Sequence, residues 1–516
     1  MRTLLRIKKG ENVDQFPLLV VGTAGTGKTF VINCITRLTR RLFNKNNSVL
    51  NLAPTGAAAV LLPDGRTLHS TTPIPRLNKR EAENELNDCP LSNDKLRELR
   101  SCTGPSSNRK LFLLNLDERG MTSHNVAAWC SQRFKESLCE FDLPFGGIPC
   151  VNWVGDHGQL SPFGGDDLHN PPKFSSTPAI RAGYALYQLF ENVIILQETM
   201  RQKPDQKVLL ERLLRIRRGE ITQDDWNAIN SRYEGDLSEP EKKKFKSSST
   251  ITLCETWAEV NVENHCKLAA LNVPIAVIPA LSRGPHMQGG SDTPLGQIPA
   301  RALIGVGCRV MLTKNQNGLT IFGLNNGAFG TVRAILYDEG EKPPSFPAAV
   351  IVEFPNYSGP PWIPEYPTWI PITENIGFCE AMCCSRKGLP LMPGYSITIA
   401  KSQGSTIGEN QSITHMRLKL QNTTNFEILC PGTLYTGLSR VDKDDNWSLV
   451  DKIDWTRLQC INSSKAIEKR RQEDERLLVL HNKTLKKLSI TENDFINLIA
   501  EIDEESNDGI FDSIQV

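Results

Sequence analysis

Phe16-Pro-Leu-Leu-Val-Val-Gly22-Thr-Ala-Gly-Thr-Gly27-Lys28-Thr29-Phe30 is the stretch whose reading decides the fold class. Pro17–Val21 is an apolar run of strand length, and Gly22–Thr29 matches G-x-x-x-x-G-K-[ST], a phosphate-binding loop. From Lys28 to Phe43 the apolar residues Phe30, Val31, Ile35, Leu38 and Leu42 recur at helical spacing. The order strand, glycine loop, helix has a physical purpose. Gly22, Gly25 and Gly27 let the loop curl until backbone N–H groups face phosphate oxygens, and the helix turns its positive end to the same oxygens. Gly22, Thr23, Ala24, Gly25, Thr26, Gly27, Lys28 and Thr29 are therefore candidate nucleotide contacts, with Lys28 on the β/γ-phosphates and the Thr29 hydroxyl on Mg²⁺.

Further along, Ser48–Ala53, Leu111–Leu116 and Val151–Val154 read as short strands, and Val126, Cys130, Phe134 and Leu138 mark a helix face between the last two. Alternation of this kind predicts an α/β layer on a parallel sheet. Asp117-Glu118 closes the strand Leu111–Leu116. An acid at that position beside a phosphate loop suits Mg²⁺, here Asp117, and its neighbour Glu118 suits the base that activates water. Asn115 breaks the apolar run and is expected to face a helix or water.

A second alternation begins near 198, with a helix over Gln206–Gly219, a strand over Thr250–Leu253 and a capping box at Thr256-Trp-Ala-Glu259. Residues 70–110 are polar and weakly periodic, as in an insertion or loop. Residues 286–390 are rich in Pro, Gly and short β-type runs such as Val350–Phe354, and Asn325-Asn326-Gly327 signals a hairpin. Lys465–Leu488 reads as an exposed mixed-charge helix, followed by an acidic tail. Arg212, Arg215, Arg217, Arg218 and the run Lys242–Lys244 read equally as a phosphate track or a solvated face.

At 516 residues the chain has room for three to four domains of about 150 residues. With 39% apolar and 23% charged residues it reads as an ordinary globular protein, not a disordered one. No apolar run is long enough for a membrane helix, and MRTLLRIKKG lacks the apolar core of a secretory signal. An intracellular location is expected. From Glu492 onward the chain carries eight acids and no Lys or Arg, so the remainder holds +9 against +1 overall. That balance permits a nucleic-acid partner without demanding one. The 14 cysteines show no regular spacing; the cluster Cys379, Cys383, Cys384 lacks a fourth ligand at zinc spacing and reads as reduced thiols.

Taken in order, the motifs resemble a known family. They are the phosphate loop, Ala53-Pro-Thr-Gly56, Gly65-Arg-Thr-Leu-His69-Ser70, Asp117-Glu-Arg-Gly-Met121 and Gly155-Asp-His-Gly-Gln159. Glu198-Thr-Met-Arg201-Gln202, Lys401-Ser-Gln-Gly404 and Leu434-Tyr-Thr-Gly-Leu-Ser439-Arg440 follow. This series, over roughly 17–460, resembles the Pif (petite integration frequency) family of superfamily 1B DNA helicases, mobile-element relatives included. The resemblance implies two RecA-like domains with ATP and Mg²⁺ between them, and 5′→3′ unwinding in DNA repair, recombination, telomere or mobile-element metabolism. It implies Gln159 as γ-phosphate sensor and Arg201 and Arg440 as arginine fingers from the second domain. It places single-stranded DNA and duplex junctions on Pro54, Thr55, Gly56, Thr67 and His69 of the first domain and Lys401, Ser402, Gln403 and Gly404 of the second. A monomer is expected, in the nucleus or, alternatively, the mitochondrion. The layout implied is 1–197 for the first RecA-like domain, 198–285 with 391–462 for the second, 286–390 for an inserted SH3-like domain, and 463–516 for the charged helix and tail. Two departures stand out: only Gln15 precedes the loop where relatives carry an adenine-reading glutamine motif, and Arg119-Gly120 replace the usual Ile-Ser. The rival reading is a nucleic-acid-binding transposon relic without turnover; a small-molecule kinase is a distant third.

Overall fold

The computed structural model describes residues 1–74, 90–104, 111–162, 165–285, 295–316, 318–379, 383–409, 411–421, 425–488 and 492–505. Parts of the expected insertion, β-rich insert and acidic tail (75–89, 105–110, 286–294 and 506–516) lie outside the described residues. The chain forms two compact units. The first comprises Met1–Ile221, Thr424–Tyr435 and Leu458–Val516; the second comprises Thr222–Thr423 and Thr436–Arg457.

The first unit is built on six parallel strands: β1 (Phe16–Gly22), β2 (Val49–Ala53), β3 (Arg66–Thr67), β4 (Leu113–Leu116), β5 (Cys150–Gly155) and β6 (Asn192–Leu196), in the order β3-β2-β4-β5-β1-β6. Every residue of β2, β4 and β5 is buried, as expected of central parallel strands covered on both faces. Helix Lys28–Phe43 has the bounds read from its period, and helix His124–Leu138 places Phe134 in the core with Leu114, Leu116 and Trp153.

Asn115 faces both a helix and its own sheet. Asn51, Asn115 and Asn152 sit in register across β2, β4 and β5. The Asn115 amide donates to Asn51 Oδ1 at 2.7 Å and to Thr36 Oγ1 of the loop helix at 3.3 Å, and Asn152 donates to Asn115 Oδ1 at 2.9 Å. Asn51 donates onward to the Pro63 carbonyl at 2.7 Å. Polar side chains inside an apolar sheet are tolerable because each finds a partner.

Three expectations are corrected in this unit. Part of the 70–110 stretch is the helix Asn93–Thr103, anchored by buried Leu99 and by Thr103, whose hydroxyl shares a 2.7 Å hydrogen bond with Ser137. One apolar anchor is too little to register as a period. Helix Lys207–Arg218, expected to open the second domain, belongs to the first unit, and Arg212 and Arg217 are buried rather than tracking phosphate. Helix Lys465–Leu488 is not an exposed appendage: Ile467, Arg470, Glu473, Leu477, His481 and Thr484 are buried. Its Thr484 hydroxyl accepts the Val193 N–H at 2.9 Å and His481 Nδ1 accepts the Ile195 N–H at 3.3 Å, so the helix closes the open edge of β6. Helix Glu492–Glu505 buries Ile502 against Leu4, Leu5 and Leu42, flanked by the pairs Arg2–Asp494 (2.9 Å), Arg41–Asp503 (2.8 Å) and Lys9–Glu501.

The second unit contains β7 (Thr250–Cys254), β8 (Ala276–Pro279), β9 (Leu281–Arg283), β10 (Arg301–Ile304), β11 (Arg309–Leu312), β12 (Phe329–Leu336) and β13 (Ala349–Glu353). After these come β14 (Trp369–Ile372), β15 (Asn375–Phe378), β16 (Ser385–Gly388), β17 (Leu391–Pro393), β18 (Ser396–Thr398), β19 (His415–Lys419) and β20 (Trp447–Leu449). A parallel sheet, β18-β7-β19-β20, carries helix Trp257–Ala270, whose capping box at Thr256 and Glu259 forms as read. The β-rich portion holds an antiparallel sheet, β14-β13-β12-β11-β17, around Val310, Val332, Val352 and Ile370, with the smaller sheets β10-β8 and β15-β16-β9. It extends from β8 to β17, wider than the 286–390 expected. Two parallel α/β sheets plus a β-rich module are the RecA-like pair and insert that the motifs implied.

Candidate nucleotide-binding site

The candidate site lies at the carboxyl ends of β1, β4 and β5, where open α/β sheets place their ligands. Gly25 and Gly27 take φ of +86° and +79°, conformations that favour glycine. An added Cβ at Gly25 would lie 2.6 Å from the Arg201 Cβ, so this glycine is also a close approach. Lys28 folds over the loop, donating to the carbonyls of Gly22 and Thr23 at 2.8 Å each. Burial pulls its ammonium below the usual value, while Asp156, Glu118 and Asp117 draw it back up.

Asp117 and Glu118 follow β4, both buried. The Asp117 carboxyl is pushed up to about 7, first by burial and then by the neighbouring Glu118 charge. Its Oδ1 accepts the Glu118 N–H at 2.8 Å. Glu118 itself stands in left-handed backbone, φ +51°, which turns the chain sharply before Arg119–Met121. A non-glycine residue in this region is strained, and such strain gathers at functional sites. The departures Arg119-Gly120 now have a physical reading. A Cβ on Gly120 would lie 2.7 Å from the Asp156 carbonyl, and Arg119 is buried, its guanidinium 5.2 Å over the Tyr187 ring and 3.9 Å from Glu473.

After β5, Gln159 is buried, its backbone N–H donating to the Asp156 carbonyl at 3.4 Å. Around it stands a network that the sequence reading missed. The Tyr435 hydroxyl accepts the Ala24 N–H of the phosphate loop at 3.2 Å and donates to Asp156 Oδ2 at 2.8 Å. Asp156 Oδ1 accepts from Arg217 Nε at 3.1 Å and from the Gly158 N–H at 2.9 Å. Arg217 also pairs with Asp474 at 2.6 Å, and Asp474 with His157 at 2.9 Å. Burial pushes the Asp156 carboxyl up, but Arg217, Lys28 and His157 outweigh it and hold it at about 2. Tyr435 stands inside a quoted motif, but nothing in one dimension shows that residues 24, 156 and 435 meet.

Arg201 lies in the first unit, not the second. Its N–H and that of Met200 reach the Gly25 carbonyl at 3.2 and 2.7 Å, fixing this segment against the loop. Arg440 belongs to the second unit, buried, with Nε donating to the Thr436 carbonyl at 2.9 Å and Nη2 to Ser439 Oγ at 2.8 Å. Beside the loop opens a groove of ≈ 810 Å³ that the sequence did not foretell. Phe30, Met200 and Leu485 line it in exposed positions, with Glu198, His481 and Asn482 as polar neighbours. Gln15 spends its amide nitrogen within the fold, on the carbonyls of Pro144 (2.8 Å) and Ile148 (2.7 Å).

Of the candidate DNA contacts, the first group is brought together. Ala53 pairs with Thr67 across β2 and β3, so Pro54, Thr55 and Gly56 leave the sheet beside Thr67 and the exposed His69. Thr55 caps helix Gly56–Val60 through the Ala58 N–H at 3.2 Å. In the second unit Lys401–Gly404 follow β18. Ser402 and Gln403 are buried, the Ser402 hydroxyl donating to the Ile399 carbonyl at 2.7 Å. Lys401 Nζ donates to Asn326 Oδ1 at 2.8 Å, and burial lowers its pKa to about 8.

These features agree with known proteins. The sequence model of the PIF1-like helicase family matches residues 8–226. The ATP-dependent DNA helicase RRM3 of Saccharomyces cerevisiae is 28% identical over 330 residues, 64% of this chain and 40% of that protein. The chain thus spans less than half the length of the curated relatives it matches. Among solved structures, Pif1 helicase from Candida albicans superposes with a TM-score of 0.65 at 21% identity, covering 92% of this chain and 98% of that one. Pif1 from Bacteroides in complex with ADP-AlF3 and single-stranded DNA gives 0.62 at 22%, covering 92% and 97%. With its motifs in order on two parallel α/β sheets, this chain is similar to the Pif1-like helicases, whose sequence model matches it over residues 8–226.

Proposed function

We propose that this chain is an ATP- and Mg²⁺-dependent DNA helicase that moves 5′→3′ along a single strand. The observation that carries the reading is the convergence of the Lys28 loop, the Asp117–Glu118 pair and Gln159 on one end of a single parallel sheet. In the reaction, Lys28 exchanges the carbonyls of Gly22 and Thr23 for phosphate oxygens. Glu118 takes the proton of the attacking water, Gln159 orients that water, and Arg201 and Arg440 offset the charge on the phosphates. Asp117 and Thr29 offer hard oxygen donors. A buried carboxyl pushed up to about 7 is a group that a divalent cation would stabilise, so the pair fits Mg²⁺. When bound, Mg²⁺ supplies phosphate charge neutralisation. The groove of Phe30, Met200 and Leu485 takes the nucleotide base. Pro54–Gly56, Thr67, His69 and Lys401–Gly404 hold the DNA backbone, which carries no base information, so binding is sequence-tolerant. The helicase acts as a monomer on nuclear or mitochondrial DNA.

The test is ATPase activity with and without single-stranded DNA, alongside displacement of strands from 5′- and 3′-tailed duplexes. Wild type is expected to show DNA-stimulated hydrolysis and to open only the 5′-tailed substrate. Lys28→Ala loses nucleotide affinity and turnover together, whereas Glu118→Gln binds ATP without hydrolysing it. Nucleotide binding with no DNA-stimulated turnover in wild type would overturn the helicase in favour of a binding relic.

A further inference from the structure

Three cysteine sulfurs converge where β15 and β16 join. Cys379 Sγ lies 3.5 Å from Cys383 Sγ, and Cys383 Sγ lies 3.7 Å from Cys384 Sγ. All three are within 4.8 Å of one another, and among the described residues no His, Asp or Glu joins the group. Disulfide-bonded sulfurs stand about 2.05 Å apart. These three are free thiols. A tetrahedral ion with metal–sulfur bonds of about 2.3 Å spaces its sulfurs about 3.8 Å apart. The separations already present approach that edge length.

Two further observations point to a ligand. The Cys384 N–H donates to Cys379 Sγ at 3.1 Å, a bond that favours negative charge on the sulfur, while the Cys379 N–H closes the turn on the Cys384 carbonyl at 2.9 Å. Gly284, next to β9, has φ of +121°, and a Cβ there would stand 2.6 Å from both Cys384 Sγ and the Cys383 carbonyl. The backbone of residue 284 therefore packs directly against the buried sulfur, an approach that any side chain there would disturb. Cys384 is buried and Cys383 exposed, so one side of the group opens to solvent.

We propose that Cys379, Cys383 and Cys384 form a binding site for a soft divalent ion, Zn²⁺ as the type case, with solvent in the fourth position. The ion replaces thiol protons, and the three protons pass to water. Bound, it ties Cys379, after β15, to Cys383 and Cys384, before β16, whose strand pairs with β9. The site is independent of the nucleotide chemistry.

The test uses the full chain, reduced with a phosphine and freed of metal, titrated with Co²⁺ and followed by Zn²⁺. One equivalent of Co²⁺ is expected to produce a thiolate-to-cobalt charge-transfer band with tetrahedral visible absorption, both bleached by Zn²⁺. Cys379→Ser and Cys383→Ser each abolish the bands, and Gly284→Ala weakens binding. In unsubstituted protein, Zn²⁺ should protect these three cysteines from alkylation, read by peptide mass spectrometry, whether or not any variant folds. No charge-transfer band in wild type, a band that survives in the Cys379→Ser/Cys383→Ser double variant, or equal alkylation with and without Zn²⁺ would each overturn the proposal.

Discussion

Lys28 and Asp117 are opposite charges withdrawn from water within one site, and each is displaced from its ordinary proton affinity by that withdrawal. For Asp117 the displacement has a testable sign. Its folded pKa of about 7 lies above the unfolded value, so between roughly pH 4 and 7 the folded chain holds a proton that the unfolded chain has lost. Stability of the ligand-free protein should fall as pH rises through that window and level off above it. Asp117→Asn should remove the slope, as followed by thermal melts from pH 4 to 8. The same proton must leave before Mg²⁺ can bind, so affinity for Mg²⁺ in the presence of nucleotide should rise about tenfold from pH 6 to 8. An unchanged affinity would mean that Asp117 is not the ligand. The residue scale also shows where sequence reading stops. That Lys28, Asp117 and Glu118 would stand at one end of the sheet was legible, because each sits at a fixed offset from an apolar strand, whereas Gln159 was singled out only by the family resemblance. The Tyr435 bridge was not legible, because it depends on three distant segments meeting.

Among elements, helix Lys465–Leu488 carries the clearest lesson. Its bounds were legible to the residue, but its place was not. A helical period announces an apolar stripe without naming the strand that takes it. Here the recipient is the open edge of β6, served by side chains of His481 and Thr484 instead of backbone. A buried N–H left without an acceptor costs about 1–3 kcal/mol. Thr484→Val keeps the shape and removes the oxygen that accepts from Val193, so it should destabilise by about that amount, whereas Thr484→Ser should cost less. Urea unfolding gives the energy, and faster hydrogen exchange at the Val193 amide locates it. Equal stability of the Val and Ser variants would remove the hydroxyl from this role. The helix turns Arg470 and Asp474 inward as well, onto Gly158 and onto His157 with Arg217. The same element therefore supports both the sheet edge and the loop that carries Gln159.

Over the whole molecule, charge is uneven: the segment from Glu492 is acidic and the remainder carries +9. It is tempting to credit the pairs of helix Glu492–Glu505 with Arg2, Lys9 and Arg41 for holding that helix in place. Magnitudes argue otherwise. Exposed pairs contribute about 0–1 kcal/mol, whereas truncating a buried isoleucine to alanine costs about 2–5 kcal/mol. Ile502→Ala should therefore loosen this helix more than Arg2→Ala and Lys9→Ala together, and added salt should change little. Limited proteolysis of the segment, compared across these variants at low and high salt, decides between packing and charge. Greater loss in the charge variants would reverse the assignment. The architecture of two α/β sheets and a β-rich insert was legible from strand–helix alternation and ordered motifs. The return of 458–505 to the first unit was not, because contacts between chain ends leave no local pattern.

That return sets a timetable for synthesis. β6 ends at Leu196, and the helix that covers its edge begins at Lys465. At about 5–20 residues per second, a ribosome needs roughly 15–50 s to span that interval. During this time the nascent first unit presents a bare strand, able to pair with any other emerging chain. The cell must shield that edge until helix Lys465–Leu488 is made, and shortened translation products that stop before residue 465 are the ones expected to aggregate.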